Sequence, residues 1–324
     1  MDKKIAYSIV LILAIVGIAA LLFPLHGMTG KVTATQAQKE INVAYLPIAS
    51  DLNFFVAMDQ GFFEKYGLKV NAIEFAKSPD AINALVSGNV DAAALVGIES
   101  IYAAQARSPN AFKLVQVSIA NENTLVHKIL VMPNASITKV SQLEGKKVGI
   151  FPGGNLKTLT KVALKDQLNT EKINFVELEP NLQVIALSVG QIDALVSLEP
   201  VGTIAQEKLG TRVIESNFLA KYIMNPIPTA GSLISKQYAQ NNPTNAQAYS
   251  AALENAALFI KNNPGEAKKS LVTWLHAEEK IAEKSGIYEY VAPEKVTSEL
   301  STLAEILYAN RVVKNKINVT ALVG

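Results

Sequence analysis

The chain has 324 residues with 30 basic and 28 acidic side chains, a formal net charge of +2, and that near balance removes the basic face on which nucleic-acid binding depends. Aromatic residues make up 7%, too few for a base-stacking platform. It has no cysteine, which excludes disulfides, thiolate metal sites, a cysteine nucleophile and a lipid-modified cysteine.

In chain order, Asp2, Lys3 and Lys4 precede an uncharged run, Ile5 to Phe23. Its nineteen residues, at about 1.5 Å each in a helix, reach roughly the thickness of a bilayer core. A cleaved signal peptide is the alternative, but Thr35-Gln36-Ala37 is a weak cleavage site. The run predicts an uncleaved anchor, residues 1–23, with Lys3 and Lys4 holding the N-terminus in the cytoplasm. The body is then extracytoplasmic, in the periplasm or on the outer face of the cell membrane. Residues 24–40 are a polar tether without apolar periodicity.

From Ile41 the pattern changes. INVAY reads as a buried strand, and Asp51 as the cap of a helix running to Gln60 with Phe54, Phe55 and Met58 inward. KVNAIEF, Lys69 to Phe75, is a second strand. Ser78-Pro79 opens a helix, the hydroxyl as cap and the proline at the first turn. Val90 to Val96 is a third strand, giving the order βαβαβ. The order returns later: KKVGIF, a PGGN turn, a helix from Leu156 to Leu168, INFVEL, a helix from Asn181 to Val189, and a strand from Ile192 to Ser197. The repetition is literal in places. ALVSGNVDAA, Ala84 to Ala93, comes back as ALSVGQIDAL, Ala186 to Leu195, at an offset of 102. Gly88 and Gly190 are read as left-handed helix stops, and Asp91 and Asp193 as structural carboxylates at strand starts.

The last hundred residues are mainly helical, over Asn245 to Asn262, Pro264 to His276 and Pro293 to Asn310, and are expected to pack back on the first lobe. Val126 to Pro133 and Met224 to Ile234 are the candidate crossings. The resulting lobes are 41–125 plus 230–324, and 126–229.

Ligands of open parallel sheets bind beyond the carboxyl ends of the strands, and helix N-termini there offer free N–H groups. The candidate contacts are therefore Ile48, Ala49, Ser50, Asp51 and Asn53 after the first strand, and Gly97 and Glu99 after the third. In the second lobe they are Gly153, Gly154, Asn155, Lys157 and Glu199, with Asn225 and Thr229 at the second crossing. PGGN lacks the GxxxxGK[ST] of a phosphate loop, and no GxSxG elbow occurs. His26, His127 and His276 have no ligand spacing, so no metal and no cofactor is expected. Glu99 and Glu199 occupy equivalent-looking places and suit helix capping or a ligand donor better than acid/base work. Nothing in these patterns demands an enzyme.

Four marks in order carry a family resemblance: GFFEKYGLKV (Gly61 to Val70), ALVSGNVDAA, SQLEGKKVGIFPGGN (Ser141 to Asn155) and SVGQIDALVSLEP. They resemble the sulfonate/nitrate/taurine and thiamine-precursor group of solute-binding proteins of ABC importers, over Ile41 to Ala277. The resemblance implies an α/β type II periplasmic-binding-protein fold, two βαβαβ lobes closing on one small solute. It also implies a monomeric body and delivery to a permease with its ATPase. Ser50, Asp51 and Asn53 stand where the family has small or apolar residues, and with Glu99 and Glu199 they set a neutral or amino-bearing solute, such as a pyrimidine, beside the anions. Enzymes of the same fold (pyrimidine synthases, menaquinone-pathway enzymes) and a sensory binding protein are the other readings. The synthases use a cysteine-rich motif that this chain lacks.

Overall fold

A computed structural model describes residues 39–323. The expected anchor, and all but the last two residues of the expected tether, lie outside them. Among the described residues no helix is long and apolar enough to cross a membrane.

Among the described residues eleven strands form two sheets. β1 (Lys39–Tyr45), β2 (Leu68–Glu74), β3 (Ala92–Gly97), β4 (Phe112–Ala120), β10 (Ile227–Ser235) and β11 (Glu289–Val291) make the first, in the order β11-β4-β10-β3-β1-β2. β5 (His127–Val131), β6 (Lys147–Ile150), β7 (Asn174–Glu177), β8 (Ala194–Leu198) and β9 (Arg212–Ser216) make the second, in the order β7-β6-β8-β5-β9. The parallel halves match. β1 pairs with β2 and β3, as β6 pairs with β7 and β8. The chain therefore reverses direction across the sheet at β1/β3 and at β6/β8, and such switch points open a crevice beyond the strand ends.

The segments read as crossings are largely strand. β5 lies antiparallel to β8 and β9 in the second sheet, and β10 antiparallel to β3 and β4 in the first. Their apolar alternation is that of sheet interiors, each buried along its length. The chain passes between sheets in the shorter stretches 121–126 and 217–226.

The C-terminal helices cover the first sheet, as expected. The Pro243–Asn262 helix buries Tyr249, Ala252, Leu253 and Ala256 against the Leu52–Asp59 helix. Phe63 stacks on Tyr249 at 5.7 Å between ring centroids, and Trp274 on Phe55 at 4.9 Å. Alanine on the long helix lets it approach closely, while the aromatics supply the large buried areas. The turn after β1 leads into the packed Leu52–Asp59 helix, and its Ile48 and Ser50 form part of the lobe-1 wall of the site.

Candidate functional site

The carboxyl ends of the two parallel halves face each other across a cavity of about 50 Å³. The lobes meet around it. Ala49 N–H donates to Glu199 O at 3.3 Å, and Glu99 N–H to Asn155 Oδ1 at 3.0 Å. Gly97 lets Asn155 come this near, since a Cβ there would lie 2.4 Å from Asn155 Cγ. Tyr288 and His127 close one side in an edge-on ring contact at 5.7 Å, with the Tyr288 hydroxyl 3.4 Å from His127 Nε2.

Of the residues expected at the site, Ile48, Ser50, Gly97, Gly153, Asn155 and Thr229 line this cavity, and Ala49 contributes the hydrogen bond just described. The others are placed differently. Asp51 neither caps its helix nor reaches the cavity. It is wholly buried and accepts from Leu46 N–H and Leu95 N–H, both at 2.7 Å, tying the ends of β1 and β3 together. Burial pushes its carboxyl well above the usual range, against the pull of those two bonds. Asn53 is buried in the lobe-1 core, donating to Gln116 Oε1 and Leu253 O. Glu99 leans on Ser100, and burial raises its carboxyl.

In the second lobe Gly154 caps the Asn155–Leu164 helix from a left-handed conformation and is not among the lining residues. Lys157 pairs with Glu177, whose carboxyl that ammonium holds below the ordinary value. Glu199 is buried with Lys128, their charged atoms 2.5 Å apart; it also accepts from Thr203 N–H at 3.3 Å. Its role is that of an ion pair inside lobe 2. Asn225 is exposed and donates to Glu122 at 3.1 Å. Ser78, expected to cap its own helix, accepts from Gly97 N–H at 2.9 Å instead.

Sequence reasoning missed His127, Tyr288, Ser78 and Leu219, which line the cavity together with Phe151 and Leu198 of the strand-end loops. His127 opens β5 and is 2% exposed; burial pushes its imidazole down to about 3, so it is neutral. The available signal was a lone histidine at the head of the apolar run ILVM, where a buried polar residue needs a reason. Among the described residues no lysine, arginine, aspartate or glutamate lines the cavity. Among the described residues no cluster of three histidine, aspartate or glutamate side chains could hold a metal ion.

The family model described as NMT1/THI5 like matches residues 50–267. A Bacillus subtilis (strain 168) protein described as binding aliphatic sulfonates is 22% identical over 317 residues, covering 94% of this chain and 92% of its own. Among solved structures, the periplasmic aliphatic sulphonate binding protein of Escherichia coli superposes with a TM-score of 0.70 at 20% identity, over 88% of this chain and 97% of that one. The desulfurization enzyme DSZB superposes at 0.67 and 13% identity, over 88% and 96%. At such identities these structures establish the shared architecture alone: an α/β periplasmic-binding-protein-like fold with two sheets.

Proposed function

The chain belongs to the NMT1/THI5-like family, and from that premise we propose that it is an extracytoplasmic solute-binding protein that captures a small molecule between its lobes and delivers it to an ABC-importer permease with its ATPase. The observation that carries this reading is the meeting of two like switch points across one cavity, with hydrogen bonds from lobe to lobe at Ala49–Glu199 and Glu99–Asn155. Lobe 1 is built on the first sheet and lobe 2 on the second, with the expected bounds 41–125 plus 230–324 and 126–229 moved so that β10, from Ile227, belongs to lobe 1. A cavity of about 50 Å³ has room for only one or two water-sized groups. Any organic solute therefore needs the lobes to part, and the short stretches between sheets are where a hinge would flex. The Ile5–Phe23 run would hold the body, a monomer, at the membrane. Sulfonates, nitrate, taurine and pyrimidine thiamine precursors are the candidate solutes.

The likeness to DSZB keeps an enzyme of the same fold as the second reading. Against it stands the lining: among the described residues it brings no carboxylate or lysine to the cavity, and burial holds the His127 imidazole down at about 3, far below the range a general base needs. Scattering and thermal shift with a solute panel test the proposal together. A true solute at about 100 times its Kd raises stability by roughly 2.7 kcal/mol and compacts the particle. Chemical turnover of the solute would establish the enzyme reading instead.

A further inference from the structure

We propose that the protein carries a second ligand site, a groove beside the crossing 121–126, and that it takes a single-chain anionic amphiphile, an acyl carboxylate in its simplest form. The head lies on Lys261 and Lys268 and the chain runs along the groove. This site shares only Tyr288 with the interlobe cavity, so the inference stands or falls apart from the solute-binding reading.

The first ground is shape. The groove encloses about 1070 Å³, against about 50 Å³ between the lobes, so it admits an organic molecule with no movement of the lobes. β11 pairs with β4 only from Val117 to Ile119, and Pro293 soon after it cannot continue the ladder. β4 therefore lines the groove with Lys113 to Gln116 beyond the reach of β11. One wall is the Pro243–Asn262 helix, through Ser250, Glu254, Leu258 and Lys261, and the other is the stretch from Lys284 to Ala292. Gly286 seats that second wall on the crossing, since a Cβ there would lie 2.5 Å from Thr124 O and 2.6 Å from Leu125 O. From Lys113 to Asn121 the extended chain covers about 26 Å at roughly 3.3 Å per residue. The groove is long enough for an acyl chain.

The second ground is where the charges stand. At the end by the crossing the lining holds Lys128, Lys261, Lys268 and Lys284. Lys128 is paired with Glu199, and Lys284 with Glu207 at 2.6 Å. Lys268 donates only to a backbone oxygen, Glu283 O at 2.7 Å, and burial lowers its ammonium below the usual lysine value despite the opposing fields of Glu199 and Glu283. Among the described residues Lys261 makes no ion pair. The carboxylates of the lining stand elsewhere or are engaged. Glu254 comes about 10 Å before Lys261 on its helix, at 1.5 Å per residue. Because β11 runs antiparallel to β4, Glu294 beyond it lies towards Lys113, away from the crossing. Glu289 accepts from Asn121 Nδ2 at 2.7 Å. Leu258 and Leu125 line the same groove and are 53% and 50% exposed. A small hydrophilic anion would leave these leucines in water, and an uncharged chain would leave the half-buried ammonium of Lys268 uncompensated. A molecule with an anionic head and an apolar chain satisfies both.

The test is calorimetry on the full chain with dodecanoate below its micelle concentration. Dodecyltrimethylammonium carries the same chain with the opposite head, acetate the head without the chain, and an acidic decapeptide the charge on an extended backbone. Dodecanoate is expected to bind at least about tenfold more tightly than any of the three, the margin of one charge-assisted bond. Lys268→Met weakens it about tenfold for the same reason. Lys261→Gln weakens it about two- to fivefold, as for an exposed pair, and Leu258→Ser about fivefold through lost apolar contact. The apolar run Ile5 to Phe23 is common to every variant, so binding to that run would not change among them. Should Lys268→Met fold poorly, the other two variants decide, since both positions are exposed. Equal binding of the cationic amphiphile overturns the proposal, as does preference for acetate or for the peptide. Dodecanoate affinity unchanged in Lys261→Gln and Leu258→Ser, or no binding at all, overturns it as well. None of these outcomes bears on whether a solute is captured between the lobes.

Discussion

At the starts of their strands the two lobes use one device twice. Asp91 Oδ2 accepts from Asn42 N–H at 2.8 Å, and Asp193 Oδ2 from Lys147 N–H at 2.8 Å. The return bonds match as well, Asp91 N–H to Asn42 O at 2.9 Å and Asp193 N–H to Lys147 O at 2.8 Å. Each aspartate therefore clamps its strand to the central one, β3 to β1 and β8 to β6. At the other ends the lobes part company. Lobe 1 buries Asp51 on two backbone N–H groups, whereas lobe 2 buries Glu199 on Lys128. The repeated phrase thus marks what both lobes need to fold. The unlike ends mark where each lobe was fitted to the cleft between them.

The largest test of that contrast is removal of the lobe-2 cation. Glu199 and Lys128 are both nearly inaccessible, so Lys128→Met leaves a buried carboxylate without its counter-ion. It is expected to cost about 3–5 kcal/mol in denaturant unfolding. Replacing both, Lys128→Met with Glu199→Leu, should recover most of the loss, since well-packed apolar pairs often equal buried ion pairs. If the single variant lost less than about 1 kcal/mol, the pair would be behaving like a surface bridge and the contrast with Asp51 would collapse.

Acid stability comes next. His127 is neutral in the fold at any pH well above 3, while in the unfolded chain it protonates near 6.5. Below pH 6.5 the unfolded state binds the extra proton, so stability falls as pH drops from about 6.5 towards about 3, and is unaffected by this residue above that window. The whole window amounts to a few kcal/mol at about 1.4 per unit. Between pH 6.5 and 5, above most carboxylates, wild type should lose stability and His127→Gln should lose less. Parallel curves would place His127 in contact with water.

The order of elements around each repeat was legible because it rests on local signals: apolar strands, glycine stops and proline starts. Gly88 and Gly190 are left-handed, at φ 77° and 73°, as their position after an apolar helix required. The site was legible only as loops. Ile48, Ser50, Gly97, Gly153 and Asn155 followed from the rule of strand ends, and Thr229 from the expected crossing; both name places and say nothing of side-chain direction. The capping read for Glu199 holds at Thr203 N–H, but its partner Lys128 and the Leu95 partner of Asp51 are distant in sequence. Leu95 lies 44 residues from Asp51, and Lys128 sits in a segment that looked like a crossing. His127 and Tyr288 come from strand β5 and the stretch before β11, and only the tertiary fold brings them together.

The aspartate clamps give the third test. Asp91→Ala and Asp193→Ala each remove one acceptor and expose or strand one strand-start N–H. About 1–1.5 kcal/mol is expected for Asp91, whose bond is part-buried, and less for Asp193, which is exposed, because water replaces a surface acceptor more readily. Urea midpoints at constant slope would measure both. A large loss for Asp193 alone would mean that the two clamps differ in function despite their like geometry.

The smallest effect is the cleanest comparison. Gly88 and Gly190 close the Ser78–Val86 and Pro180–Ser188 helices with the same bonds, Gly88 N–H to Leu85 O at 3.2 Å and Gly190 N–H to Leu187 O at 3.3 Å. The next residues also agree, Asn89 N–H to Ala84 O and Gln191 N–H to Ala186 O, both at 2.9 Å. A Cβ at either glycine meets nothing within 4 Å. Alanine at these positions therefore tests backbone conformation with no packing change. An L residue in the left-handed region costs roughly 1–2 kcal/mol, and the lower entropy of the stiffer unfolded chain offsets about 0.4–1 kcal/mol of that. Gly88→Ala and Gly190→Ala should each lose about 1 kcal/mol and agree within about 0.5, while Asn at either site should lose less, since it tolerates this conformation better. Agreement would make the repeat an energetic one as well as a geometric one. A difference between them could not come from the stops, which match, and would have to come from how tightly each helix is held to its own sheet.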